Sequence, residues 1–183
     1  MIRVLGLDLS LTAAGVAGIG WAETLKYPVR APTPMTADYR HRRIAWLRVS
    51  LADRWLAGTQ LAVLEGLAYD AHDTDRQNAG LSWIIRQTLW QNGVPYALVP
   101  PSCLKQYATG KGAGPAADKA SVTAAVRSYW PKFDGDDNAA DAAVLAAMGA
   151  HHLGWPLWPV PKTQAAVLAN ITWPEVPALE VIT

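Results

Sequence analysis

The sequence predicts an α/β protein: a mixed sheet with helices on its faces. Three observations predict it. Residues 2–9, QLAVLEG (60–66) and PYALV (95–99) are short apolar runs of the kind that form buried strands. Helix-length segments with apolar residues three and four apart lie between the later runs. Nothing helix-length separates the first strands, so the chain opens on hairpins. The order β-β-β-α-β-α-β-α-α joins an antiparallel start to strands reached through helical crossovers.

Residues 2–9 form the first strand, Thr12 to Gly15 a tight connection, Val16 to Trp21 the second strand and Thr24 to Val29 the third, ended by APTPM. Thr36 or Asp38 caps a helix to about Leu56, whose Ile44, Leu47, Leu51 and Trp55 share a face. QLAVLEG ends on a carboxylate, Glu65, and AYDAHDTDRQN (68–78) is a polar loop. A helix from Ala79 to Gln91 stops at Asn92-Gly93. A short helix, Ser102 to Tyr107, leads into the glycine-rich TGKGAGPAAD, read as flexible, and another helix spans Lys119 to Tyr129. FDGDDN, with Asp136 as cap, starts an alanine-rich helix through Met148. Residues 1–151 read as one domain. The Trp- and Pro-rich residues 152–183 read as an extended tail that packs on the body or on a partner.

At 183 residues and 19.7 kDa, one core is the default. With 51% apolar and 17% charged residues, the chain is neither disordered nor a polyelectrolyte. A net charge of +1 leaves a nucleic-acid partner open, because local charge meets phosphate. Residues 38–54 and 105–132 are both locally basic. The lone Cys103 excludes an internal disulfide framework and most cysteine metal sites. The opening residues lack a basic region followed by a long apolar segment and cleavage site, and no uninterrupted apolar 18-mer occurs, so a soluble, cytoplasmic protein without membrane contact is expected. Nine tryptophans supply core, an oligomer interface or a stacking surface.

Three acids stand in apolar surroundings: Asp8 in LGLDLS, Glu65 in LAVLEG and Asp141 in NAADAAVLAAM. Burying a carboxylate unpaired is costly, so three of them suggest convergence on a shared cation. An oxygen-rich site without cysteine suits Mg²⁺ or Mn²⁺. Asn138 lies three residues before Asp141 and can share its helix face, with Asp137 close by.

These residues resemble a known family. GLDLSLTAAG with Asp8, Ser10, Thr12 and Gly15, VLEG with Glu65, PPSCLKQYATGKG followed by Lys119, and DDNAADAAVLAAMG occur in the order found in RuvC-type Holliday junction resolvases. The likeness covers roughly residues 2–151 and points to a compact bacteriophage or bacterial member. It implies a ribonuclease H-like fold, with a five-stranded mixed sheet flanked by helices. It further implies a homodimer that cuts four-way DNA junctions with paired Mg²⁺-dependent sites of two ions each. Asp8, Glu65 and Asp141 then match the family's metal ligands. Asn138 stands where the family commonly has an acid; it can lend a neutral oxygen to a metal, and Asp137 is a possible ligand or supporting group. Lys105, Lys111 and Lys119 match positions at the site rim, and Lys119 opposes the helix dipole at its own helix start. Ser10, Thr12, Arg76, Gln77 and Asn78 are expected to contact the junction. Trp83, Ile84 and Trp90 match the dimerising helix or serve as core.

The expected reaction is hydrolysis by water, leaving a 5′ phosphate and a 3′ hydroxyl, used in DNA recombination or repair. Branched or flap DNA, or RNA-DNA hybrid, are the alternative substrates for the same fold. A non-catalytic junction-binding protein is the second alternative. An actin-like kinase or ATPase also runs its first strand into an Asp-centred turn, but this chain is too short for two such lobes.

Overall fold

The computed structural model describes residues 2–28, 36–66, 73–114 and 117–177, the side chains of 73–77 excepted. Among them β1 (Val4–Asp8), β2 (Ala14–Gly18), β3 (Trp21–Leu25), β4 (Leu61–Glu65) and β5 (Tyr96–Val99) form one sheet in the order β3-β2-β1-β4-β5. The β1–β2 and β2–β3 pairs are antiparallel, whereas β1–β4 and β4–β5 are parallel. All five residues of the central β1 are buried, as its apolar run predicts.

The first hairpins differ from expectation in register. Gly18 pairs with Trp21, so Ile19-Gly20 is the turn and Trp21 opens β3 instead of closing β2. Gly20 supplies the positive φ of 81° that this two-residue turn needs. β3 accordingly ends at Leu25, not Val29.

Helix α1 (Ala37–Leu51) starts at Thr36, whose Oγ1 accepts the Tyr39 N–H at 3.2 Å, and runs on into a π-helical turn, Ala52–Leu56. Helix α2 (Asp73–Gln91) begins six residues before the expected Ala79. Its first turns are polar and carry no apolar period, which is why they read as loop. Residues 76–78 therefore stand on a helix, while 67–72 lie outside the described residues.

Helix α3 (Pro101–Thr109) ends on Gly110 in the left-handed conformation, followed by α4 (Lys119–Tyr129) and α5 (Asp137–His152). The last helix runs four residues past Met148. Gly149 stays helical because it is a contact point: a Cβ there would stand 2.7 Å from Val63 and 2.8 Å from Val4.

α5 lies directly on the sheet, and the small residues explain how. A Cβ at Gly6 would come within 2.0 Å of the Ala142 carbonyl oxygen. Ten alanine and apolar side chains of α5 are buried, together with Gly149. Alternation along the strands then divides the core. Val4, Val63, Ala97 and Val99 pack under α3, α4 and α5, whereas Leu5, Leu7, Val16 and Leu64 pack against α1 and α2.

Beyond α5 the chain is not extended throughout. It forms α6 (Lys162–Ala165) and a 3-10 turn, Ala166–Asn170, and places Trp158, Val167 and Ile171 in the α5-side core. The Trp173 ring stacks on His152 with centroids 4.1 Å apart. Among the described residues no helix is long and apolar enough to cross a membrane.

Candidate active site

Topology brings the first two acids together. β1 and β4 are parallel neighbours with Leu7 opposite Leu64, so Asp8 and Glu65 follow side by side at the strands' carboxyl ends. That edge is where α/β sheets characteristically bind ligands. Their carboxyls are close enough to interact directly, which favours the charged form of Asp8 and the neutral form of Glu65.

The third acid arrives on α5. Asp136 caps this helix by accepting the Ala139 N–H at 3.2 Å, and its carboxylate is held by the Thr24 hydroxyl and by Lys26 at 3.5 Å. The start of α5 is thereby tied to β3. With the helix seated on Gly6 and Gly15, Asn138 and Asp141 face the strand acids across one cleft.

This cleft, about 360 Å³, is lined by Asp8, Ser10, Glu65, Asn78, Lys105, Lys119, Asn138 and Asp141. Leu9, Pro101, Leu104 and Val122 give it an apolar wall, which the sequence reading did not include. Burial, reinforced by the neighbouring acids, pushes Glu65 up to about 8 and Asp141 up to about 7. Burial pushes Asp8 up to about 6, against the opposing effect of the Glu65 hydrogen bond. Three carboxyls held towards their neutral forms chiefly by burial make a site that gains by admitting a cation.

The donors fit Mg²⁺ or Mn²⁺ in kind: carboxylate oxygens and one amide oxygen, with no sulfur or imidazole. As they stand, no three His, Cys, Asp or Glu side chains among the described residues are gathered into a group that could hold a metal ion.

The other expected residues are placed as follows. Ser10 lines the cleft and its Oγ lies 2.9 Å from the exposed Thr12 Oγ1, which is outside the lining. Lys111 is exposed beyond the cleft, in a turn closed by Thr109, whose Oγ1 accepts the Lys111 N–H at 3.2 Å. Asn78 reaches the cleft, while the side chains of Arg76 and Gln77 lie outside the described residues. Asp137 does not line the cleft; its Oδ2 pairs with the Lys119 Nζ at 2.7 Å.

Trp83 and Trp90 are 63% and 75% exposed, on the outer face of α2, and line a separate groove of about 470 Å³ with Ile84. Arg86 belongs to this surface as well. Its guanidinium lies 3.9 Å from the Trp83 centroid and 5.4 Å from that of Tyr96, and its Nε donates to the Tyr96 hydroxyl at 3.3 Å. The three-residue step from Trp83 to Arg86 on one helix was the available signal.

Antiparallel β3-β2-β1, parallel β4 and β5, and a long helix crossing the central strand define an α/β ribonuclease H-like fold. Among solved structures, the chain resembles Thermus thermophilus RuvC, with a TM-score of 0.56 at 19% identity over 84% of this chain and 98% of that one. It likewise resembles T. thermophilus RuvC in complex with Holliday junction substrate, with a TM-score of 0.59 at 18% identity over 84% of this chain and 97% of that one. No protein-family model and no curated protein sequence matches this chain. The likeness is one of fold.

Proposed function

We propose that this protein is a divalent-cation-dependent endonuclease that resolves four-way DNA junctions by paired, symmetric cuts. The observation that carries the reading is the cleft itself: three charge-averse carboxyls on β1, β4 and α5, faced by Lys105 and Lys119, on a ribonuclease H-like sheet.

Asp8, Glu65 and Asp141 would hold the cations, with Asn138 lending its amide oxygen. Bound there, two Mg²⁺ or Mn²⁺ ions supply Lewis-acid stabilisation of charge developing at a scissile phosphate. Lys105 and Lys119 neutralise the phosphates that enter, and Ser10 and Asn78 offer hydrogen bonds at the wall. Hydrolysis adds water across the P–O bond, leaving a 5′ phosphate and a 3′ hydroxyl. No residue of the cleft need act as a covalent nucleophile.

Two copies joined through the exposed Trp83 and Trp90 would hold two such clefts at a fixed separation. Selection for a four-way junction is then geometric. Branched or flap DNA and RNA-DNA hybrid remain substrates for an undimerised form of the same site. A junction-binding protein without cutting activity is the second reading, favoured by the neutral Asn138 and by the open arrangement of the acids. Either duty belongs to cytoplasmic DNA recombination or repair.

The test is an immobile four-way junction beside a matched linear duplex and a flap, each with Mg²⁺, Mn²⁺ or EDTA, and Asp8→Asn as control. Paired nicks in the junction alone, lost in EDTA and in the variant, are expected. Cutting of the flap alone moves the substrate. Tight junction binding without cutting in either metal leaves the second reading.

A further inference from the structure

The acids near the cleft are not all placed alike. Asp8, Glu65 and Asp141 line it. Asp137 lies outside the lining, and its Oδ2 takes the Lys119 ammonium at 2.7 Å. We infer that Asp137 is a positioning residue that tethers the Lys119 ammonium at the cleft, and is not a ligand of the divalent cation. This inference rests on the nuclease reading above.

The tether is a built one. Lys119 and Asp137 are each the first residue of a helix, and each follows an aspartate cap. Asp118 accepts the Ser121 N–H at 2.8 Å and so sets the start of α4. Asp136 sets the start of α5 through Ala139, Thr24 and Lys26. The two caps fix both ends of the ion pair before any ligand arrives. The pair also answers an electrostatic fault. A lysine at a helix start opposes the dipole, and the acid of the neighbouring helix offsets it.

Geometry separates the two roles. Lys119, Asn138 and Asp141 line the cleft, and Asp137 does not. Its Oδ2 is engaged with the ammonium at 2.7 Å, on the Lys119 side and outside the lining that Asn138 and Asp141 share. Lys119 keeps further N–H donors for a phosphate, because one ammonium has three. A long, flexible side chain held in place loses less freedom when its phosphate arrives. Asp137 therefore acts on the nucleic acid through Lys119.

The experiment compares wild type, Asp137→Asn, Asp137→Glu, Lys119→Met and the Asp137→Asn/Lys119→Met double variant. Mn²⁺ affinity is measured by calorimetry. Junction affinity is measured with a fluorescent four-way junction in Ca²⁺ over a range of salt. Expected is a three- to tenfold loss of junction affinity in Asp137→Asn, with a shallower salt dependence and Mn²⁺ affinity unchanged within twofold. Asp137→Glu should recover much of the loss, and Asp137→Asn should add little once Lys119 is already Met. A tenfold loss of Mn²⁺ affinity in Asp137→Asn, or junction affinity left intact, overturns the positioning role alone. Wild-type protein that binds neither Mn²⁺ nor the junction removes the nuclease reading, and this inference with it.

Discussion

Gly15 of β2 and Asn138 of α5 touch backbone to backbone: a Cβ on Gly15 would lie 1.9 Å from the Asn138 carbonyl oxygen. This contact seats the helix that carries Asn138 and Asp141. Gly15→Ala must push α5 off the sheet at the cleft, with the cost of overpacking, about 1–3 kcal/mol. We expect a fall in melting temperature of several degrees and at least a tenfold loss of nicking. Gly20→Ala is the control. It meets nothing within 4 Å and strains only a positive φ, so it should cost ~1 kcal/mol and leave nicking intact. Nicking kinetics and thermal melts of the two variants make the check.

Stability should depend on pH with a definite sign. The three acids have ordinary values near 4 and are raised to about 6, 7 and 8 in the fold. Between these limits the unfolded chain has lost protons that the folded chain keeps. The unfolded state binds fewer protons there, so stability falls as pH rises from about 4 to 8 and levels off above. The loss should be largest in the absence of metal. Glu65→Gln should flatten the slope, and millimolar Mg²⁺ should stabilise the protein more at pH 8 than at pH 6. Denaturant melts across this range measure both. A stability that rises from pH 5 to 8 contradicts the placement of the acids.

The segment after α5 meets the basic rim at Gln164. In the amide orientation that satisfies both neighbours, Gln164 donates to the Tyr107 carbonyl at 3.1 Å and accepts from the Gly110 N–H at 3.2 Å. Both groups belong to the end of α3, from which the chain leads to Lys111. Gln164→Ala should cost about 1 kcal/mol and speed amide exchange at residues 107–111. Junction affinity should drop severalfold with Mn²⁺ affinity unchanged. Hydrogen exchange read by mass spectrometry locates the effect, and unaltered exchange there would exclude the coupling.

The outer face of α2 supplies the association prediction. Wild type should sediment at twice 19.7 kDa. Trp83→Glu/Trp90→Glu should sediment as a monomer and make single, unpaired nicks. Both residues are largely exposed, so the substitutions leave the core intact. Sedimentation velocity across a range of concentrations decides it.

The sequence reading reached the strands and the three acids for a physical reason. A carboxylate inside an apolar run is a local signal, and Asp8, Glu65 and Asp141 each show it. The fold then brings all three to one cleft, as the cost of burying unpaired carboxylates suggested; the sheet order that does so was read through resemblance. Capping was legible too, since Thr36 and Asp136 announce helix starts by residue type. Four features were not. The turn at Ile19-Gly20 was hidden because apolar residues run across it. The first turns of α2 lack an apolar period, so tertiary setting decided them. The helix expected to run through Met148 continues through Gly149, which is a contact with β1 and β4. The Asp137–Lys119 pair joins two helix starts, and no spacing along the chain announces it.

The central claim is that Asp8, Glu65 and Asp141 form one divalent-cation centre. Calorimetric titration of the metal-free protein with Mn²⁺ at pH 8, beside Asp8→Asn and Asp141→Asn, tests it most directly. The account predicts two ions bound per chain in wild type, with release of protons, and loss of at least one ion in each variant. No binding by wild type, or equal binding by all three proteins, would contradict it.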